Sequence, residues 1–183
     1  MFRLERLACA TMVVNMVASL ASAQETTVKP IRTIQNWSVY VHETEERKQC
    51  FAASVPKRSR NIRGGKPASV RRGITQVSVM FQPNISADGE VSFTGGYQFD
   101  PKETVTLTVS GNTFTLYVDG DWAWAASPEE DRKIHNAFRL GAAAVITGIS
   151  SRGTTTTDTF SLYGFTKAFE TARNICSKNS GEI

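Results

Sequence analysis

Histidine and cysteine are scarce: the 183-residue chain holds two of the first and three of the second. His42 and His135 have no cysteine or acid at zinc-ligand spacing, so both read as structural or surface histidines and no metal site is expected. The segment Gly148-Ile149-Ser150-Ser151-Arg152-Gly153 misses the Gly-x-Ser-x-Gly spacing of a nucleophile elbow and runs into threonines rather than a helix. A serine hydrolase would also need a partnering histidine. Asp119-Gly120-Asp121 lacks the further spaced oxygens and the late Glu of an EF-hand, and reads as a turn. There is no βαβ alternation and no internal repeat. No catalytic constellation stands out, and the expectation is a non-enzymatic protein without a cofactor.

The one long apolar run lies at the start. Arg3 and Arg6 precede an apolar stretch from Leu7 to Leu20, and Ala21-Ser22-Ala23 then offers an A-x-A cleavage site. That order is a secretory signal over residues 1–23, with Gln24 as the new N-terminus. The stretch falls short of the roughly 20 residues needed to span a bilayer. No later segment qualifies, so the expected location is periplasmic or secreted, with no transmembrane segment in the mature protein. Of the 21 basic and 17 acidic residues, the signal removes two and one, leaving a net charge of +3. Cys9 leaves with the signal, so in an oxidising compartment Cys50 and Cys176 have only each other. A bridge closing so long a loop is worth about 4–5 kcal/mol in the chain-entropy picture.

The remainder reads as a flexible lead-in over 24–34, a single β-rich domain over 35–177 and a frayed tail over 178–183. Trp37, Val39 and Val41 alternate onto one face; so do Val77, Val79 and Phe81. Gln49 to Val55 is a second apolar run. Asp88-Gly89 predicts a turn before a strand from Glu90 to Thr94. Val105, Leu107 and Val109 pair naturally with Phe114, Leu116 and Val118 across Ser110-Gly111-Asn112, a hairpin turn that needs positive φ. Ser127-Pro128-Glu129-Glu130 starts a helix over about 128–140, with Ser at N-cap, Pro at N1 and Glu at N3. Ala143–Ile149 is a buried strand, Thr154 to Thr157 a polar loop, and Thr159 to Tyr163 a further strand. In a last helix over about 165–176, Phe165, Ala168, Phe169, Ala172 and Cys176 share one face. About nine short strands and two helices predict a mainly β fold: an antiparallel β-sandwich with the helices on its ends or edges.

Two features suit binding. From Lys57 to Arg72 the chain carries Lys57, Arg58, Arg60, Arg63, Lys66, Arg71 and Arg72 and no acid. Gly64-Gly65 and Pro67 mark the segment as a loop, and the charge makes it a candidate anion-binding arm for lipopolysaccharide phosphates, acidic glycans or an acidic protein face. Nucleic acid is not expected, because interleaved aromatic residues are missing. Trp122 and Trp124, two apart on a strand, would share a face and form a candidate aromatic contact.

Trp37-Ser38-Val39, then Cys50, then Ser150-Ser151-Arg152-Gly153-Thr154, then Phe160-Ser161-Leu162-Tyr163-Gly164-Phe165 and a closing helix with Cys176 form an order that resembles the invasion-associated locus B family of bacterial exported proteins. The resemblance covers roughly residues 35–177. It implies a small exported β-rich domain, in some members with a part in host interaction, and it carries over no catalytic residue. Many members hold a second close cysteine pair where this chain reads Asp121-Trp122-Ala123-Trp124-Ala125-Ala126. The resulting expectation is an exported binding or envelope protein with an anionic envelope component or a protein as partner. The alternatives are a structural or chaperone-like envelope factor that works through its edge strands, or an enzyme whose site is assembled from scattered residues.

Overall fold

A computed structural model describes residues 30–44, 47–83 and 85–177. The expected signal segment with Cys9, the cleavage site and the 178–183 tail lie outside the described residues. The first strands are β1 (Arg32–Ile34), β2 (Trp37–Glu43), β3 (Lys48–Ser54), β4 (Arg58–Arg63), β5 (Lys66–Pro67), β6 (Gln76–Gln82) and β7 (Ser86–Thr94). Then come β8 (Thr104–Val109), β9 (Asn112–Asp119), β10 (Trp122–Ala125), helix α1 (Pro128–Leu140), β11 (Ala143–Ile149), β12 (Thr154–Ser161) and helix α2 (Phe165–Ser177).

The twelve strands form one open sheet in the order β1-β2-β3-β6-β7-β10-β9-β8-β11-β12-β4-β5. Every pairing is antiparallel. The sheet folds over on itself as a sandwich: Phe93 of β7 meets Phe160 of β12, their ring centroids 6.1 Å apart. Alternation decides what enters the core. Trp37 and Val39, Val77, Val79 and Phe81, and Val105, Leu107 and Val109 are buried, as their period of two demands.

The local signals also hold. Ser110 (φ 49°) and Gly111 (φ 86°) make the two-residue turn of the β8–β9 hairpin, whose Val109 and Asn112 pair directly. Ser127 caps α1, its Oγ accepting from Glu130 N at 3.3 Å. The Glu130 carboxylate does not complete the box; it takes Lys133 instead, at 2.7 Å.

The helices close one end of the sandwich. α2 packs on β2, β3 and β6, and α1 on β7, β9 and β10. All five residues read as the inner face of α2 are buried. Phe165 lies edge-on to Trp37 at 4.9 Å, and Phe169 to Phe81 at 5.0 Å. Cys50 of β3 and Cys176 of α2 form the expected disulfide, with Cα atoms 5.6 Å apart and both residues buried.

Three strands were not expected. β1 lies within the segment read as a lead-in, and it pairs with β2 along Arg32–Ile34. β4 and β5 lie in the basic segment read as a loop, where Gly64 (φ 56°) and Gly65 (φ 73°) turn the chain between them. Two further expectations need correction. Thr154 to Thr157 open strand β12 rather than forming a loop. Asp88-Gly89 does not end a strand; β7 runs through it, with a register shift against β6 between Met80 and Gln82.

Candidate functional site

At the end opposite the helices three connections come together. They are residues 68–75 between β5 and β6, residues 95–98 after β7, and the β11–β12 tip from Ser150 to Gly153. Backbone bonds fix them to one another. Gly73 N donates to Gly96 O at 2.9 Å, and Ser151 N donates to Gln98 O at 2.9 Å. Between them lies a cleft of about 510 Å³.

The basic segment builds one wall. β4 pairs with β12 so that Arg63, Asn61 and Ser59 stand opposite Thr154, Thr156 and Asp158. Thr154, Thr156 and Asp158 are buried, so these rungs face inward, while Arg58 and Arg60 alternate outward. Arg63 Nε donates to Thr154 Oγ1 at 2.8 Å. Asp158, fully buried, is the only acid on β12. Arg72 reaches it with both terminal nitrogens, at 2.8 and 2.6 Å, and its Nε donates to Gly95 O at 2.8 Å. Ser59 Oγ donates to the same carboxylate at 2.6 Å. Arg72 was read as part of the anion-binding arm; its charge is met inside the protein, because the buried carboxylate needs a partner there.

Tyr97 supplies the floor. Its hydroxyl shares a 2.5 Å hydrogen bond with Thr156 Oγ1, and the Arg72 guanidinium lies over its ring at 5.3 Å. The ring crowds Gly95, where a Cβ would come within 2.5 Å of it, so only glycine fits beneath. Burial is the main cause that raises the Tyr97 hydroxyl above its ordinary pKa.

Of the seven basic residues singled out in the sequence, Arg63, Arg71 and Arg72 line the cleft. Lys57, Arg58, Arg60 and Lys66 are exposed beside it along the β4–β5 edge. Arg152, on the tip passed over as an imperfect nucleophile elbow, joins the cleft. Sequence reasoning also missed Tyr97, Asp158, Ser150 and Thr154. A lone acid at an inward position of an alternating strand was the available signal for Asp158. Among the described residues no carboxylate lines the cleft, and Arg63, Arg71 and Arg152 form no ion pair.

Trp122 and Trp124 do share a face, half-buried and 5.8 Å apart, with Ala123 buried between them. They are not part of the cleft: β9, β8, β11 and β12 separate β10 from β4.

A second cavity, of about 540 Å³, opens beside the start of α1 and is lined by Asp88, Glu90 and Asp131. Asp131 accepts from Val91 N at 2.8 Å, and burial pushes its pKa up to about 6. One helical turn on, His135 packs edge-on to Phe169 at 4.8 Å, and burial lowers its pKa to about 4. His42 is exposed at the end of β2. Among the described residues no three His, Cys, Asp or Glu side chains gather as a metal site.

The family described as "Invasion associated locus B (IalB) protein" matches residues 37–173. The chain belongs to the IalB family. The IalB match runs from β2 through β12, takes in all of α1 and α2 as far as Arg173, and includes every element of the cleft. The fold is similar to the crystal structure of invasion associated protein b from Bartonella henselae, at a TM-score of 0.53 and 17% identity, over 80% of this chain and 98% of that one. No curated protein matches.

Proposed function

We propose that this IalB-family protein acts after export as a non-enzymatic binding protein of the bacterial envelope or its surroundings, and holds an anionic partner at the basic cleft. Export is supported by the N-terminal signal pattern and by the Cys50–Cys176 disulfide, which suits an oxidising compartment. In the described residues no helix is long and apolar enough to cross a membrane. The observation that carries the binding reading is the set of three guanidiniums, Arg63, Arg71 and Arg152, around a cleft with no carboxylate in its lining. The exposed cations of β4 and β5 add long-range attraction. Strand addition by clients has less support. The open edges are β1 and β5, both short, and Pro67 occupies the second.

The test is retention of the mature protein on immobilised dextran sulfate across a salt series. The expected outcome is salt-sensitive retention that the triple variant Arg63→Glu, Arg71→Glu, Arg152→Glu loses. Equal retention of variant and wild type would remove the cleft from the function.

A further inference from the structure

The cleft carries more information than its charge. Several of its hydrogen-bond donors have no acceptor among the described residues. Ser150 Oγ accepts from Thr154 N at 3.1 Å, and Thr154 Oγ1 accepts from Arg63 Nε at 2.8 Å. Each hydroxyl has a proton as well as lone pairs, and among the described residues neither of these two has an acceptor for it. Both residues are buried, Ser150 6% and Thr154 2% exposed, and both line the cleft. A buried donor left unused is costly. Arg63, Arg71 and Arg152 add guanidinium forks on three separate elements: β4, the 68–75 connection and the β11–β12 tip. Among the described residues the carboxylate beside these donors is Asp158, and it is taken by Arg72 and Ser59.

Such a surplus of donors, converging from several directions, suits an acceptor with oxygens in a tetrahedron rather than a planar carboxylate, which presents two oxygens in one plane. The cleft also has room for more than a bare oxyanion. Water occupies about 30 Å³ in the liquid, whereas about 510 Å³ is available here, within the roughly 300–1,000 Å³ range of sites for organic ligands. We propose that the cleft binds a tetrahedral oxyanion carried on a larger polar group: a phosphate or sulfate monoester. The exposed arginines of the rim hold the ester oxygens. The buried hydroxyls of Ser150 and Thr154 donate deeper in, and the remaining volume holds the organic part against Tyr97. The buried Arg72–Asp158 pair fixes the floor on which these groups stand.

This assignment rests on the anion-binding reading of the cleft, and one set of titrations separates the two. Calorimetry on the mature protein would use glucose 6-phosphate, glucose 6-sulfate, glucuronate, glucose and inorganic phosphate as probes. A parallel arm would use phosphatidylcholine vesicles with and without phosphatidic acid. The expected result is saturable binding of the monoesters, roughly tenfold or more tighter than glucuronate or inorganic phosphate. Arg152→Ala and Arg71→Ala, both at exposed positions that leave the melting temperature unchanged, should each weaken it roughly 10- to 100-fold, the usual cost of losing a charged hydrogen bond. Ser150→Ala should weaken it less. Binding of soluble ester alone identifies a free sugar ester as the source; binding of phosphatidic acid vesicles identifies a membrane headgroup; either supports the proposal. Equal affinity for glucuronate would overturn it, as would retention on dextran sulfate with no saturable monoester binding in either arm, and in both cases the anion-binding reading would stand. Loss of dextran sulfate retention as well would end both.

Discussion

The two ends of the sandwich are built from different chemistry. At the helix end, Trp37, Phe81, Phe138, Phe165 and Phe169 fill the space and a disulfide joins α2 to β3. At the cleft end a polar network is buried beside Phe99: Asp158, Thr154, Thr156 and Ser150 are buried, and an arginine closes the network. Apolar packing is tolerant of shape and indifferent to charge, so one end serves as an anchor. A buried polar network must be satisfied atom by atom, which fixes positions at a cost in stability. A binding site needs fixed positions, and the polar network is found where the arginines converge.

The largest expected effect tests the anchor. Cys50→Ser or Cys176→Ser should cost about 4–5 kcal/mol by the chain-entropy estimate, for cysteines 126 residues apart. The denaturation midpoint should fall accordingly, while ester and dextran sulfate binding, measured where the variant is still folded, stays as in wild type. A matching loss of binding would show that the two ends are not independent.

The next effect tests the polar end. Asp158→Asn removes the partner of Arg72 and should cost about 3–5 kcal/mol, because it leaves a guanidinium buried without its counter-charge. Arg72→Met together with Asp158→Leu should recover much of that loss in urea denaturation. A single variant as stable as wild type would mean that the pair does not hold this end together.

Legibility in the sequence divides along the same line. The β8–β9 hairpin, the Ser127 cap, the inner face of α2 and the disulfide were readable because each is declared locally, by a turn residue, a cap, an apolar stripe or a cysteine count. Besides the short edge strands β1 and β5, the parts that went unread are β4 and the first half of β12, whose inward positions are polar. In β12 the buried row begins Thr154, Thr156, Asp158, and in β4 the inward row is Ser59, Asn61, Arg63. A period of two carries a signal only when one face is apolar, so these strands looked like loops. Their partner, Arg72, lies 86 residues from Asp158 in the chain. Three of the cleft's arginines were in the segment singled out for charge, but the convergence of Arg152, Tyr97, Ser150 and Thr154 on them depends on the sheet closing over. The sequence rules failed where the candidate site is, which is where local rules and function conflict most often.

A third effect concerns α1, within the helix end, where His135 packs on Phe169 of α2, and its sign can be worked out. Asp131 has a native pKa of about 6 against a reference of 3.8. Its contribution to stability is present below 3.8 and lost as the pH rises through 6. His135 has a native pKa of about 4 against 6.5, so its contribution is present above 6.5 and lost as the pH falls through 4. Each shift corresponds to about 3 kcal/mol at about 1.4 kcal/mol per unit. Between pH 4 and 6 the two slopes oppose, and these residues together should leave stability nearly flat. Asp131→Asn should expose the histidine, with stability falling on acidification from 6.5 to 4. His135→Leu should expose the carboxylate, with stability rising as the pH drops from 6 towards 4. Urea midpoints across this range for the three proteins check the pattern, and parallel profiles would refute it.

The smallest effect on stability separates the cleft from its surroundings. Arg58 and Arg60 are exposed on the outward side of β4, with no ion pair among the described residues. Reversing both to Glu should change stability by no more than about 0.5 kcal/mol, since exposed charges on a strand surface contribute little. It should lower the rate at which a polyanion is captured and flatten the dependence of that rate on salt, because these charges act over distance and are screened beyond about 10 Å at 0.1 M. The dissociation rate of a small monoester should not move, because that depends on contacts inside the cleft. Stopped-flow association and dissociation at two salt concentrations measure both rates. If the edge variant instead releases the monoester faster, the edge strand belongs to the site itself, and the division between steering charges and holding charges fails.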